Sequence, residues 1–403
     1  MTVTGSAQVA VGRLGDIIEV IMGQSPVGTS YNRDRNGAPL INGPTEFTRR
    51  YPVAKQWTTA PVRLCRPNDI LICVRGSSTG RINTADAEYC IGRGVAAVRA
   101  RGRNDQSFAF HALSAVVEQL LKLQTGSTFP SIDSKVIKGG KIRVPDPPEQ
   151  RAIARALDDA DDFIATMERL IAKKRTIKQG VMQQLLAGRI RLAGFEDTWL
   201  STNVGELLEF KNGLNKAAQY FGSGSPIVNF MDVMQGPIIT ANDVRGLVTL
   251  TRDEIKRFSA KRDDILFTRT SETVDEVGTA AALVDDIPNA VFSGFILRGR
   301  PRTSETDSRF IAYLFQLDSI RKQVTATATY TTRALTNGRS LSRVAIALPS
   351  FYEQRAIADV IANSSIEIAT LHARLSKVKA VKQGMMQELL TGRTRLPIGE
   401  AAW

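Results

Sequence analysis

The stretch Glu149–Leu192 occurs twice, and no other feature limits so strongly what this chain can fold into. EQRAIA (Glu149–Ala154) opens the first copy and KQGVMQQLLAGRIRL (Lys178–Leu192) closes it. EQRAIA (Glu353–Ala358) and KQGMMQELLTGRTRL (Lys382–Leu396) bracket the second, at an offset of 204 residues at both ends. The intervening segment therefore has the same length in both copies, and self-similarity of this kind marks a duplicated architecture.

Both copies read as long helices. Apolar residues fall at Ile153, Leu157, Ala160, Ile164, Met167 and Ile171 in the first. The second places Ile357, Ile361, Ser364, Ile368, Leu371, Leu375 and Val378 in the same rhythm of fours and threes. That spacing makes one narrow seam, as a coiled-coil partner requires. The composition favours helix and no proline interrupts either copy. Gly188-Arg189 and Gly392-Arg393 are termination signals: glycine takes the left-handed cap and arginine suits the negative end of the dipole. Gly180 and Gly384 inside the copies predict close backbone approach or a weak kink. About 39 residues of helix span roughly 58 Å. Equal length and matched seams suit pairing with each other; two amphipathic helices packed separately are the alternative.

A chain of 403 residues exceeds one core and fits two domains plus connecting helices. The expected division is 1–148, a first globular domain; 149–192, a long helix; 193–352, a second globular domain; 353–396, a second long helix; and a tail, 397–403. Mixed short strands and helices point to an α+β fold. LGDIIEV (Leu14–Val20) is answered by VGELLEF (Val204–Phe210), and DILICVRGSS (from Asp69) by DILFTRTSET (Asp264–Thr273), which puts Arg269 near Arg75 in role. KIRVPDPPEQ and VAIALPSFYEQ lead into the long helices.

Charge separates the parts. Residues 1–148 carry +8 (19 Lys+Arg against 11 Asp+Glu), the two long helices +3 each, and residues 193–352 are neutral at 18 against 18. A basic first domain with basic helices suits a polyanion such as double-stranded DNA. Of its 19 cations 14 are arginine, whose planar fork reads guanine edges and phosphates. Three cysteines and two histidines without ligand spacing exclude a disulfide framework and argue against zinc. No apolar run is long enough for a membrane span and no secretory pattern opens the chain, so a reducing cytoplasm is expected.

No catalytic constellation stands out. PDPPEQ (Pro145–Gln150) has Glu149 where a methyltransferase signature needs an aromatic, and it reads as a domain-to-helix joint. GSGSP (Gly222–Pro226) lacks the rest of a dinucleotide loop. Asp243, Asp253, Glu254 and Lys256 fit a nuclease cluster or, better, a solvated charged face. Binding loops are clearer. Arg75, Ser77, Ser78, Thr79 and Arg81 follow a strand and present Arg and hydroxyl groups of the kind that contact bases. Thr128, Phe129 and Ser131 form a second loop. The counterparts in the second half are Arg269, Thr270, Ser271, Tyr330, Thr331, Thr332 and Arg333. Pairing of Arg75 and Arg269 with Asp69 and Asp264 is the competing reading.

The order globular–helix–globular–helix, with EQRAIA opening and LL-A/T-GR-x-RL closing each helix, resembles the DNA-specificity (S) subunit of Type I restriction–modification systems. TGSTFPSI (Thr125–Ile132) and DILFTRTSET look like segments of its target-recognition domains. The resemblance implies antiparallel pairing of the helices about a pseudo-twofold repeat, and a non-catalytic chain in which each domain reads half of a split target in the major groove while the helices set the spacer. It implies no cofactor on this chain. Two methyltransferase (M) subunits would carry S-adenosylmethionine, and a restriction–translocase (R) subunit would use ATP and Mg. Lys173–Arg175 and Lys377–Lys382 are the docking surface this suggests. A metal-dependent nuclease and a helical protein-binding scaffold are the rival functions.

Overall fold

The computed structural model describes residues 11–123, 131–330 and 332–397. The chain divides into two compact units, one made of everything up to Arg169 plus the stretch from His372 onward, the other of Leu170–Leu371. Each unit holds one globular portion and part of each long helix.

The long helices run Pro147–Leu186 and Phe351–Thr391. Proline is accommodated at the first helical position because its missing N–H has no partner there anyway. Ile153, Leu157, Ile164, Met167 and Ile171 of the seam are buried, and Ala160 is half-buried. In the second helix Ile357, Ile361 and Leu375 are buried, while Ser364, Ile368, Leu371 and Val378 are half-buried. Within the first unit Asp161 pairs with Lys382 (2.6 Å) and Glu168 with Lys379 (2.7 Å). Within the second, Lys174 pairs with Glu367 (2.7 Å), and Leu185 and Leu186 share a core with Ile357 and Ile361. Partner numbers fall along one helix as they rise along the other, so the pairing is antiparallel. Gly188 (φ 66°) and Gly392 (φ 74°) take the left-handed cap, and Arg189 N donates to Gln184 O (3.0 Å) across the first end. Gly180 and Gly384 mark no close approach: a Cβ at either would meet nothing within 4 Å, and both helices run through them.

The first globular portion is two sheets and a helix. Ile18–Met22, Val95–Ala100, Ile70–Cys73 and Ile82–Thr84 form one antiparallel sheet in that order. A second sheet orders Tyr31–Asn32, Gln56–Thr58, Ala38–Ile41, Tyr89–Ile91 and Leu64–Cys65. The run Ile70–Val74 is apolar without alternation because both of its faces are covered. Ile70, Ile72 and Val74 pack toward the helix Gln106–Leu123, while Leu71 and Cys73 pack toward the second sheet with Ile41 and Ile91. Each such side chain contributes about 1.5–3 kcal/mol over its exposed state. The helix-side core also takes in Ile153, Ala154 and Leu157 from the start of the first long helix and Leu389 from the end of the second.

The second globular portion repeats this plan. Its main sheet orders Leu208–Asn212, Ile296–Pro301, Ile265–Thr268, Ala280–Leu283 and Ile238–Ile239. A smaller one orders Gly246–Val248, Phe221–Val228 and Val291–Phe292. Its core is closed by Ile357, Ala358 and Ile361 with Leu185 and Leu186. A short antiparallel pair precedes each long helix: Val11–Arg13 with Lys141–Arg143, and Leu200–Asn203 with Ala345–Leu348. No described helix is long and apolar enough to cross a membrane.

Candidate nucleic-acid interface

The repeated Glu-Gln pair holds each long helix to its domain. Gln150 and Gln354 are buried, and each amide spans a helix start. Gln150 accepts from Asp105 N (2.9 Å) and donates to Pro145 O (2.9 Å). Gln354 accepts from Asp307 N (2.9 Å) and donates to Pro349 O (3.0 Å). Asp105 and Asp307 in turn cap the next helix, accepting from Phe108 N and Phe310 N. The acids differ more. Glu353 receives Arg191 (2.6 and 2.8 Å) and Trp199 Nε1 (3.1 Å). Glu149 receives Arg143 at one oxygen (2.5 Å), and its other oxygen has no hydrogen-bond partner among the described residues.

Asp69 and Asp264 are spoken for. Each buried carboxylate takes two bonds from an arginine on the neighbouring strand: Arg99 (2.7 and 2.6 Å) in the first domain, Arg300 (2.7 and 2.7 Å) in the second. Donation to these carboxylates holds both guanidinium pKa values above their usual range. Arg75 and Arg269 are therefore not consumed by them.

In the first domain the strand Ile70–Cys73 runs into a tight turn closed by Gly80 N on Cys73 O and Cys73 N on Arg81 O (both 2.8 Å). Gly76 and Gly80 occupy the left-handed region (φ 83° and 87°) that lets the chain reverse there. Arg75 and Ser77 are exposed at its tip and Ser78 is half-buried. Thr79 is buried and its hydroxyl donates to Gly76 O (2.7 Å). Arg81 braces the turn against another segment, donating to Pro44 O (3.4 Å) and Phe47 O (3.2 Å). Ile132 N donates to Val74 O (2.9 Å), which sets exposed Ser131 beside Arg75. Thr128 and Phe129 lie outside the described residues.

In the second domain a small sheet orders Thr270–Ser271, Ala334–Leu335 and Thr329–Tyr330, joining two loops that are far apart in sequence. Tyr330, Thr332 and Arg333 are exposed; Thr331 lies outside the described residues. Ser271 is buried and donates to the Glu276 carboxylate. Arg269 does not match Arg75. Thr336 N donates to Arg269 O as Ile132 N does to Val74 O, so Arg269 holds the place of Val74, one residue earlier. It is half-buried, with Nη1 3.5 Å from Gly294 O. Both strands have four residues and both junction residues lie five after their aspartate, so the second domain has Thr270, not an arginine, at the position of Arg75.

The alternative chemistries find little footing. Asp243 caps its own turn through Thr240, and Glu254 is held by Lys216 (2.7 and 2.6 Å) and Thr251. Among the described residues no group of three or more His, Cys, Asp or Glu is arranged to hold a metal. Cys65, Cys73 and Cys90 are buried free thiols, and burial pushes Cys65 up to about 12 and Cys73 up to about 11.

With two such domains in hand, the comparisons are decisive. The family model for the Type I restriction modification DNA specificity domain matches residues 7–174 and again residues 196–380. The chain belongs to the Type I restriction–modification DNA specificity family. Its place there makes it a specificity subunit and not a catalytic one. The type I restriction enzyme MjaVIII specificity subunit of Methanocaldococcus jannaschii is 23% identical over 402 residues, 96% of this chain and 93% of that protein. The protein assigned as the MjaX specificity subunit of the same organism is 35% identical over 175 residues, 43% of this chain and only 41% of its own length. Among solved structures, the S subunit of the M. genitalium Type I system aligns with a TM-score of 0.58 at 16% identity, over 97% of this specificity subunit and 98% of that chain. A chain from a study of type I R-M complex assembly and conformational transition aligns with a TM-score of 0.62 at 17% identity, over 96% and 98%. At such identities the likeness speaks to the fold.

Two groups of residues escaped the sequence reading. The buried roles of Gln150 and Gln354 were signalled by their exact repetition. The hairpin Tyr31–Gly37 carries two arginines two residues apart in a domain with excess positive charge.

Proposed function

We propose that this specificity subunit reads a split target on double-stranded DNA, one half in the major groove through each globular domain, with the paired helices fixing the unread spacer. The observation that carries the reading is the duplicated plan itself: each domain ends a buried strand at a turn that backbone hydrogen bonds join to a second loop, and together these expose Arg and hydroxyl groups. Arg75, Ser77 and Ser131 are the exposed candidates in the first domain, and Tyr330, Thr332 and Arg333 in the second. Side chains of these types contact base edges and phosphates.

The same reading gives the long helices a second task, docking two methyltransferase subunits that carry S-adenosylmethionine; a restriction–translocase subunit using ATP and Mg would join that core. Lys174, Lys379 and Lys382 are engaged in helix–helix ion pairs, which leaves Lys173 and Lys377 as the stronger docking candidates of the two basic stretches.

The test is methylation mapping of DNA from cells that co-express this subunit with its methyltransferase partner. Methylated adenines in a two-part motif of fixed spacing support the reading and reveal both halves. Absence of methylation, with the partner folded and bound, sinks it in favour of a protein-binding scaffold.

A further inference from the structure

The first domain carries a basic cleft whose two hairpin arginines have no counterpart among the described residues of the second. It lies between the hairpin loop after Tyr31–Asn32 and the strand Gln56–Thr58, has a volume of about 560 Å³, and is lined by Arg33, Arg35, Glu46, Lys55, Gln56 and Trp57 among others. Arg33, Arg35 and Lys55 are exposed, and among the described residues none of them has a carboxylate within ion-pair distance. Glu46 forms no ion pair with them: its two oxygens accept from Gly43 N (3.0 Å) and Thr45 Oγ1 (2.5 Å) of its own turn. Asp34, between the two arginines in sequence, is exposed and does not line the cleft.

The loop is built to hold its shape. Asn32 clasps it from both sides, donating to Asn36 O (2.8 Å) and accepting from Asn36 N (3.0 Å). Arg35 sits in the left-handed region (φ 60°), which a non-glycine residue takes up only when its surroundings impose it, and its guanidinium lies over the Trp57 ring at 5.6 Å. Gly37 follows at φ 87°, where a side chain would strike Thr58 O at 2.2 Å. The cleft also adjoins the loop that carries Arg75. Arg81, which closes that loop, donates to Pro44 O and Phe47 O on either side of Glu46.

In the second domain the matching hairpin bends through Gly222, Ser223 and Gly224, with no charge. Lys216 stacks on Tyr220 (4.7 Å) but is bound to Glu254, while exposed Arg245, just before the strand Gly246–Val248, holds the place of Lys55.

We infer that Arg33, Arg35 and Lys55, with Trp57 fixing Arg35, form a clamp for the phosphate backbone of duplex DNA beside the first half-site, for which the second domain offers Arg245 but neither hairpin arginine. This rests on the DNA-reading role proposed above. Two cations on a braced loop and a third beside the facing strand, none of them in an ion pair among the described residues, match a polyanion's backbone, and each phosphate neutralised adds about 0.9 to the salt slope of binding.

The test compares the full chain, bound to its methyltransferase partner, with the triple variant Arg33→Gln, Arg35→Gln, Lys55→Gln. The probes are a labelled duplex of unrelated sequence and, once it is mapped, one bearing the target. Phosphate contacts act on both, so the first probe tests the clamp even if the reading of a split target fails. The expected result is binding weakened at least about tenfold near 0.1 M salt, and a log–log salt slope shallower by roughly 2 to 3, with the methylated motif unchanged. Arg33→Lys with Arg35→Lys should keep the slope. If the triple variant does not fold, Arg33→Gln alone should lower the slope by about 1. Unchanged affinity and slope overturn the inference. So does an altered first half-motif, which would make these residues base readers. Loss of the methyltransferase partner at unchanged DNA slope also overturns it, by assigning the cleft to a protein.

Discussion

The two globular domains share their interiors and differ at their surfaces. Inside, the same devices recur: Asp69 with Arg99 answers Asp264 with Arg300, Gln150 answers Gln354, and each glutamine accepts from the backbone N–H of a helix-capping aspartate. Outside, the first domain carries an excess of eight positive charges and the second none. The Arg33–Arg35 hairpin corresponds to a Gly-Ser-Gly turn in the other domain's sequence. Duplication has kept what holds a helix to a domain and released what meets a ligand. Even within the latch the copies differ: Glu353 has both oxygens engaged and Glu149 has one.

The strongest test of interior equivalence is to remove the shared carboxylates. Asp69→Ala and Asp264→Ala each strand a partly buried arginine, and each should cost about 3–5 kcal/mol. Hydrogen exchange would read the loss in the strand Ile70–Cys73 for the first and Ile265–Thr268 for the second. If only one domain suffered, the equivalence would break.

Next in size is Leu389→Ala, which should cost about 2–5 kcal/mol by leaving a cavity. The loss should appear in the first domain, although Leu389 lies in the second half of the chain, because it packs with Ile153 and Leu157. Leu185→Ala should do the reverse, lowering protection around Phe310 and Ile357. A loss confined to the substituted helix would refute this cross-over.

At the surface, Arg75→Ala should weaken or relax the first half-site by about 1–3 kcal/mol, and Arg333→Ala the second half-site alone. Methylation maps of the two variants settle it; simultaneous loss of both halves from either change would count against separate readers.

The smallest effect concerns pH. In the first domain Asp158 on the long helix meets His111 (2.9 Å) and Ser107 (2.6 Å) on Gln106–Leu123. Burial raises its pKa, but the hydrogen bonds from His111 and Ser107, with Lys382 nearby, outweigh that and hold it below its ordinary 3.8. A depressed carboxyl stabilises the fold above the unfolded value, and the contribution disappears as pH falls through the folded one. Asp158→Asn should therefore cost about 1 kcal/mol at neutral pH, allowing for solvent screening. Wild type and variant should converge well below pH 4. In the second domain Arg309 joins Asp359 (2.7 Å). Asp359→Asn is the parallel control, and a wild-type advantage that persisted for Asp158 at low pH would refute its assignment.

Much of this was open to reading from residues alone. The helices, their seam and their glycine caps follow from spacing and backbone freedom, which are local properties. The buried strand Ile70–Cys73 was legible because a short continuous apolar run has few other homes. Arg269 was read as near Arg75 in role because each is the first arginine after its strand, yet counting from Asp69 and Asp264 puts Arg269 opposite Val74 and Thr270 opposite Arg75. Close approach at Gly180 and Gly384 was expected from glycine's lack of a side chain, yet both lie on open helix surface.

What the sequence determined by itself was the duplication, the two helices, and a basic first domain set against a neutral second. Tertiary structure alone decided where the helix ends go: Leu389 into the first domain's core and Leu185 into the second's. The hydrophobic effect is non-directional, so an apolar stripe demands burial without naming its partner. Strand pairing likewise brought Arg33 and Arg35 to Lys55 and Trp57 across some twenty residues of chain. Loop spacing does not encode that meeting; the register of the sheet does.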